Sequence, residues 1–172
     1  GLRHIAYLGH HTSVKNASER LAGYKKALKT AGLALNSNLI EATVTEQVRE
    51  AGTAAMERLL SRDGQFMKHG KPSFTALVAY NDLLGTGAVN CLQKHGIRVP
   101  GEVSVTGFDD VSSQYPFHPR LTSISYSRAE MGTRAIAMLC ESQGVLLQAK
   151  GHRLAVNLVV HESCQAVAGN VH

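Results

Sequence analysis

Short β-prone runs alternate with amphipathic helical stretches along this chain, and that alternation limits its fold more than any other feature. Arg3 to Leu8 (RHIAYL) reads as a strand that ends at Gly9. Ala17 to Ala31 follows as a helix, with Ala17, Leu21, Tyr24 and Leu28 at helical spacing and Gly32 just past its end. Leu39 to Thr43 is a second strand, and Thr43 with Glu46 forms a capping-box pattern that opens a helix faced by Ala51, Ala55 and Leu59. Residues 61–73 mix charges, two Gly and a Pro without periodicity, which predicts a connecting loop. Ala76 to Tyr80 (ALVAY) is almost wholly apolar, as a strand covered on both faces should be, and Asp82 to His95 follows as a helix closed by Gly96. Val103 to Thr106 supplies a fourth strand, ending at Gly107.

Four strands with three intervening helices predict a doubly wound, parallel α/β sheet with right-handed crossovers. Beyond Pro119, Leu121 to Ser125 reads as another strand. Ser127 and Glu130 would cap the next helix, which carries Met131, Ala135, Met138 and Leu139 on its apolar face, and Arg153 to Val160 is a last strand. With 172 residues and 44% apolar content, one hydrophobic core is expected. No apolar run is long enough for a membrane helix, and no charged-then-apolar leader stands at the start. Cys91, Cys140 and Cys164 are far apart and form no C-x-x-C pair, so a reducing cytoplasm is expected, with Cys91 and Cys140 buried on helical stripes. The net charge of +5 is scattered apart from Lys25, Lys26 and Lys29 on one helix, and aromatic residues are only 5% of the chain, which argues against direct contact with nucleic acid.

In an open parallel sheet, ligands bind beyond the carboxyl ends of the strands, where loops and helix N-termini converge. That rule selects Arg20 in the first helix, Asn81 directly after ALVAY and Asp109 just past the fourth strand. Arg brings fixed donors, Asp acceptors and Asn both, a set suited to a ligand rich in hydroxyls, such as a sugar. Two of them also have a structural alternative: Asn81 as a helix N-cap, and Asp109, with Asp110, as a turn closing the sheet end. The chain lacks a G-x-S-x-G elbow, a G-x-x-x-x-G-K-[ST] loop and an H-E-x-x-H pair, so no catalytic residues and no cofactor are expected. Gly85 and Gly87 fall inside a helix, where they would permit close packing. His10 and His11 are adjacent in a loop without a third ligand, and no metal site is expected.

Five ordered segments carry a family resemblance: RHIAYLG (Arg3 to Gly9), ASERLAGYKKAL (Ala17 to Leu28), ALVAYND (Ala76 to Asp82), GIRVPGEVSVTGFDD (Gly96 to Asp110) and PRLTSISYSRAEMG (Pro119 to Gly132). Together they resemble the C-terminal part of the LacI/GalR family of bacterial transcriptional regulators. The resemblance implies a periplasmic-binding-protein-like (type I) core that holds a small effector between two subdomains. In that scheme residues 1–120 and 150–165 belong to the C-terminal subdomain, 121–149 cross to the N-terminal subdomain, and 166–172 form a loose tail. The helix-turn-helix headpiece and most of the first subdomain would lie outside this stretch, so operator DNA would be touched only through that headpiece. By position, Arg20 matches the arginine that grips effector hydroxyls, Asn81 the N of the ND motif and Asp109 the first aspartate of GFDD, with Asn16 at the pocket edge. Tyr126 and Arg128 stand where many sugar-responsive members place an aromatic ring. The resemblance further implies a homodimer, with Leu83, Leu84 and Thr86 as contributors. A solute-binding protein of a sugar transport system, built on the same architecture, is the alternative.

Overall fold

In the computed structural model, which describes residues 2–11, 13–43, 49–111, 114, 116–141 and 153–166, six strands form one sheet. They are β1 (Ile5–His10), β2 (Ile40–Thr43), β3 (Ala76–Ala79), β4 (Ser104–Phe108), β5 (Thr122–Tyr126) and β6 (Val156–Val159), in the spatial order β2-β1-β3-β4-β5-β6. The first five pair in parallel, as the βα alternation predicts. β6 departs from that expectation and runs antiparallel to β5, with Ser123 opposite Val159 and Tyr126 opposite Val156. β5, within the 121–149 stretch, lies in this same sheet.

The helices cover the two faces unequally. α1 (Lys15–Thr30) lies over β1, where Tyr24 and Leu28 pack on Tyr7, and the Tyr24 hydroxyl donates to the Ile5 carbonyl at 2.8 Å. The larger cluster lies under α2 (Arg49–Arg62) and α4 (Asp82–Lys94). There Met56, Leu59, Leu84, Ala88 and Leu92 meet Ala6, Leu8, Leu77 and Val105. Alternate residues of β1 thus feed opposite layers, Ala6 and Leu8 one and Tyr7 the other, as the two-residue period of a strand dictates. The Thr43 and Glu46 capping pattern falls partly outside the described residues.

Two sequence expectations are corrected. Residues 61–73 are not simply a loop, because α2 continues to Arg62 and α3 (Gly64–His69) follows at once. Asp63 makes this possible: its carboxylate accepts from the amides of Gln65 (2.9 Å) and Phe66 (3.4 Å) and, across the turn, from Ser73 (2.6 Å). The second correction concerns Cys140, expected to be buried. It is exposed, as are the other described side chains of its helix, α5 (Arg128–Glu141), including Met131, Ile136 and Leu139. The apolar face of α5 is present as predicted, but the described residues do not cover it. Cys91 is fully buried, as expected. Among the described residues no helix is long and apolar enough to cross a membrane.

α2 and α4 approach backbone to backbone, and Gly87 of α4 and Gly52 of α2 permit it. A Cβ on Gly87 would stand 2.0 Å from the Arg49 carbonyl oxygen and 2.7 Å from the Thr53 nitrogen, while the Thr53 hydroxyl donates to the Gly87 carbonyl at 3.0 Å. Neither backbone atom can rotate away, so Gly87→Ala should destabilise the fold by ~3 kcal/mol, the upper part of the usual overpacking range. Urea unfolding followed by circular dichroism measures this; an unchanged midpoint would mean that the two helices separate easily.

Candidate ligand site at the carboxyl edge of the sheet

The chain passes from β1 outward to β2, then crosses back to β3 on the other side of β1, so the strand order reverses between β1 and β3. At such a switch point the two following segments diverge to opposite faces and leave a crevice at the strand ends. α1 enters it from β1, α4 from β3, and the loop after β4 closes its far side.

Arg20 of α1 reaches across that crevice. Its guanidinium carbon lies 3.7 Å from the centroid of the Phe108 ring and 4.4 Å from that of Tyr80. One of its nitrogens donates to the Tyr80 carbonyl at 2.5 Å, and another stands 3.8 Å from Asp109 Oδ1. A planar cation held by two ring faces, a carbonyl and a carboxylate has little freedom left, so its remaining donors are aimed before any ligand arrives. The Tyr80 hydroxyl in turn donates to Asn16 Oδ1 at 3.1 Å, which brings Asn16 into the same group.

Asp109 is set by an unusual backbone. It and Asp110 both have positive φ, 97° and 48°, a region that aspartate tolerates better than most residues. The loop is pinned from below by Asp82, which is 1% exposed. One Asp82 oxygen accepts from the Ser123 hydroxyl at 2.7 Å and the other from the Val111 amide at 2.9 Å. Ser123 also accepts from the Asp110 amide at 3.1 Å, and the Asp109 amide donates to the Ile124 carbonyl at 2.9 Å. The glycine of the GFDD motif has a local cause here, since a Cβ on Gly107 would lie 2.0 Å from Asp82 Oδ1. Burial raises the Asp82 pKa above the ordinary carboxyl value, outweighing the bonds from Ser123 and Val111.

A cleft of about 530 Å³ opens beside this group. Asn16, Arg20, Phe108 and Tyr126 form one wall, and Met131, Arg134, Ala135 and Met138 of α5 form the other, with Leu154 and Val156 at the end. Tyr126 and Phe108 put two aromatic rings, 6.2 Å apart, on the sheet side. The Tyr126 hydroxyl reaches Asp109 Oδ1 at 3.4 Å, and Arg128 donates to the Asp109 carbonyl, so both residues brace the loop.

Of the residues selected from sequence, Arg20 and Asn16 line the cleft, and Asp109, which does not, lies against Arg20 and Tyr126. Asn81 is 3% exposed and is the N-cap of α4, its side-chain oxygen accepting from the Leu84 amide at 3.0 Å; it is not part of the cleft wall. Leu84 and Thr86 are buried within the chain itself, at 0% and 2% exposure, which leaves half-buried Leu83 as the one of the three able to reach a partner. Phe108, Tyr80 and Asp82 escaped the sequence analysis. Tyr80 looked like an ordinary strand residue and Phe108 fell just past the predicted end of its strand, and only the proximity of Ser123, distant in sequence, reveals what Asp82 does.

Residues 1–164 match the family described as the periplasmic binding protein-like domain. The chain is 40% identical over 135 residues to the transcriptional regulator GalR of Escherichia coli, an alignment covering 78% of this chain and 36% of GalR. The crystal structure of the Escherichia coli transcriptional repressor ascG superposes with a TM-score of 0.79 at 32% identity, covering 96% of this chain and 57% of that one. A complex of the transcriptional regulator CelR with cellobiose gives a TM-score of 0.77 at 30% identity, covering 95% of this chain and 47% of CelR. The chain therefore spans little more than a third of the length of GalR.

The Asp82 pin can be tested by stability measurements. Asp82→Ala strands two buried donors, on Val111 and Ser123, and should cost ~2–5 kcal/mol, whereas Asp82→Asn can still accept one bond and donate the other. A folded pKa above the ordinary 3.8 means that the favourable contribution of Asp82 is complete below that pH and fades as pH rises through the folded value. The stability of the native protein relative to Asp82→Asn should therefore fall as pH rises from 4 toward 7. Urea midpoints that keep a constant separation across that range would show that Asp82 is not perturbed.

Proposed function

Because the chain belongs to the periplasmic binding protein-like domain family, in the form carried by LacI/GalR-type transcriptional regulators, we propose that it is the effector-binding core of such a regulator. The effector is a small hydroxyl-rich molecule, a sugar or related metabolite, held at the switch point of the sheet. The preorganised Arg20 is the observation that carries this: its guanidinium is clamped by Phe108, Tyr80 and Asp109, with its free edge toward the cleft. Paired hydrogen-bonding groups beside aromatic rings suit a sugar, whose faces are apolar and whose rim donates and accepts. The CelR complex, with cellobiose in a protein of the same fold, agrees with that class.

On this reading Arg20 and Asp109 bind hydroxyls, Asn16 sits at the pocket edge, and Asn81 acts through the cap that fixes the start of α4. The protein works by binding rather than by catalysis, in the cytoplasm, as a homodimer that uses the surface around Leu83. DNA would be contacted by a part of the regulator outside this chain. The relatives are transcriptional regulators, which favours this role over a transport solute-binding protein on the same scaffold.

Calorimetric titration of a panel of mono- and disaccharides into the intact protein should reveal a ligand whose affinity drops about 100-fold in Arg20→Ala and in Asp109→Ala, the loss of a charge-assisted hydrogen bond or two. Asn81→Ala should instead lose about 1 kcal/mol of stability through the missing cap. A sugar bound with equal affinity by all three variants would exclude the proposed site.

A further inference from the structure

Away from the cleft, near the C-terminal end of α4, two packed helices bring three different ligand types together. Cys91 and His95 lie four residues apart, one helical turn, on α4 and its C-cap, and Glu57 faces them from α2. Glu57 Oε2 is 2.8 Å from His95 Nε2, and one donor atom from each of the three residues lies within 4.8 Å of the other two. We propose that these residues form a binding site for one zinc-class divalent transition-metal ion, held by the Cys91 sulfur, the His95 imidazole and the Glu57 carboxylate, with solvent as the fourth ligand.

The donor set selects the ion. A thiolate with an imidazole favours zinc or cobalt over magnesium and calcium, which prefer all-oxygen shells. Thiolate and carboxylate together balance a divalent charge, so the ion would leave no net charge at the edge of the core. Three protein ligands and one open position are a recurrent arrangement for zinc.

The dimensions are close to what such an ion needs. With bonds of about 2.0–2.3 Å, ligand atoms in a tetrahedral site stand about 3.3–3.8 Å apart. The His95 and Glu57 pair must open slightly, and no separation need shrink by more than about 1 Å. Glu57 and His95 are 39% and 32% exposed and can make both adjustments, while Cys91 is fixed in the core. The platform beneath is stiff, because the glycine contacts at Gly52 and Gly87 lock α2 against α4. His95 is held edge-on to the Phe66 ring at 5.3 Å, which orients the imidazole as outer-shell groups do in metal sites. Lys94, 3.9 Å from the other Glu57 oxygen, is 77% exposed and can swing out when the ion enters.

A nucleophilic or redox role for the same thiol fits less well. Burial pushes Cys91 up to about 12, so without a metal it stays a thiol, and metal binding would release its proton. Bound metal would staple α2 to α4 and stabilise the lobe by mass action.

Cobalt(II) titration of the reduced, metal-free protein tests the site, because a sulfur ligand gives a near-ultraviolet thiolate-to-cobalt band and tetrahedral cobalt absorbs in the visible. The expected result is both bands saturating at one equivalent, with zinc displacing the cobalt and raising the melting temperature. Cys140→Ser should retain the bands. Cys91→Ser should lose the thiolate band, and His95→Gln should weaken binding by about tenfold or more, the loss that even an outer-shell partner can cause. His95→Gln leaves the core untouched and keeps the experiment decisive should Cys91→Ser fail to fold. Absence of the bands from the native protein, or unchanged binding by His95→Gln, overturns the proposal.

Discussion

A buried carboxylate holds the carboxyl edge of this sheet together. Asp82 begins α4, yet its two oxygens take hydrogen bonds from β5, through Ser123, and from the loop after β4, through Val111. Three consecutive strands of the sheet are thereby joined at one point beneath the cleft. The cost is visible in the perturbed ionisation of Asp82 and in the positive φ of Asp109 and Asp110. Such strain persists only where surrounding contacts over-determine it. Gly107 belongs to the same arrangement, since any side chain there would displace the pin.

Upon that pin stands the Arg20 clamp. Phe108 ends β4 and Asp109 opens the loop that Asp82 secures, and Tyr80, just past β3, supplies both its ring and its carbonyl. The guanidinium therefore reports on β3 and β4 together, and neither can shift without releasing it. Ordering Arg20 before a ligand arrives lowers the conformational cost of binding, which is how a small polar site gains affinity without a large buried area. Phe108 and Tyr126 both line the cleft, with their ring centroids 6.2 Å apart.

The strands and main helices were legible in the sequence because each is short, periodic and punctuated. ALVAY is almost wholly apolar, and the helix from Asp82 is closed by Gly96. What stayed hidden depended on partners distant in sequence. The turn at Asp63 looked like loop composition, although its carboxylate, bonded to Gln65, Phe66 and Ser73, starts a new helix. The antiparallel direction of β6 is a matter of its pairing with β5, which no local pattern encodes. Cys140 lies on a real apolar stripe, but periodicity shows only that a face exists, not what covers it. Arg20 and Asp109 could be selected because strand ends converge by rule in a doubly wound sheet; the same rule selected Asn81, whose side chain instead caps α4.

The cleft has one wall built into the sheet and one carried by α5, and the two are joined through residues 126–128. Tyr126 and Arg128 both reach Asp109, so the start of α5 is tied to the loop that faces the ligand. The rest of α5 is exposed along its described length. A ligand that touches Arg20 on one side and Arg134 or Met138 on the other makes both sets of contacts at only one spacing of the walls. Binding then favours that spacing in proportion to the difference in affinity between poses, and a ligand held by the Arg20 wall alone would shift nothing. On the function proposed above, contacts on the α5 wall would therefore carry the signal.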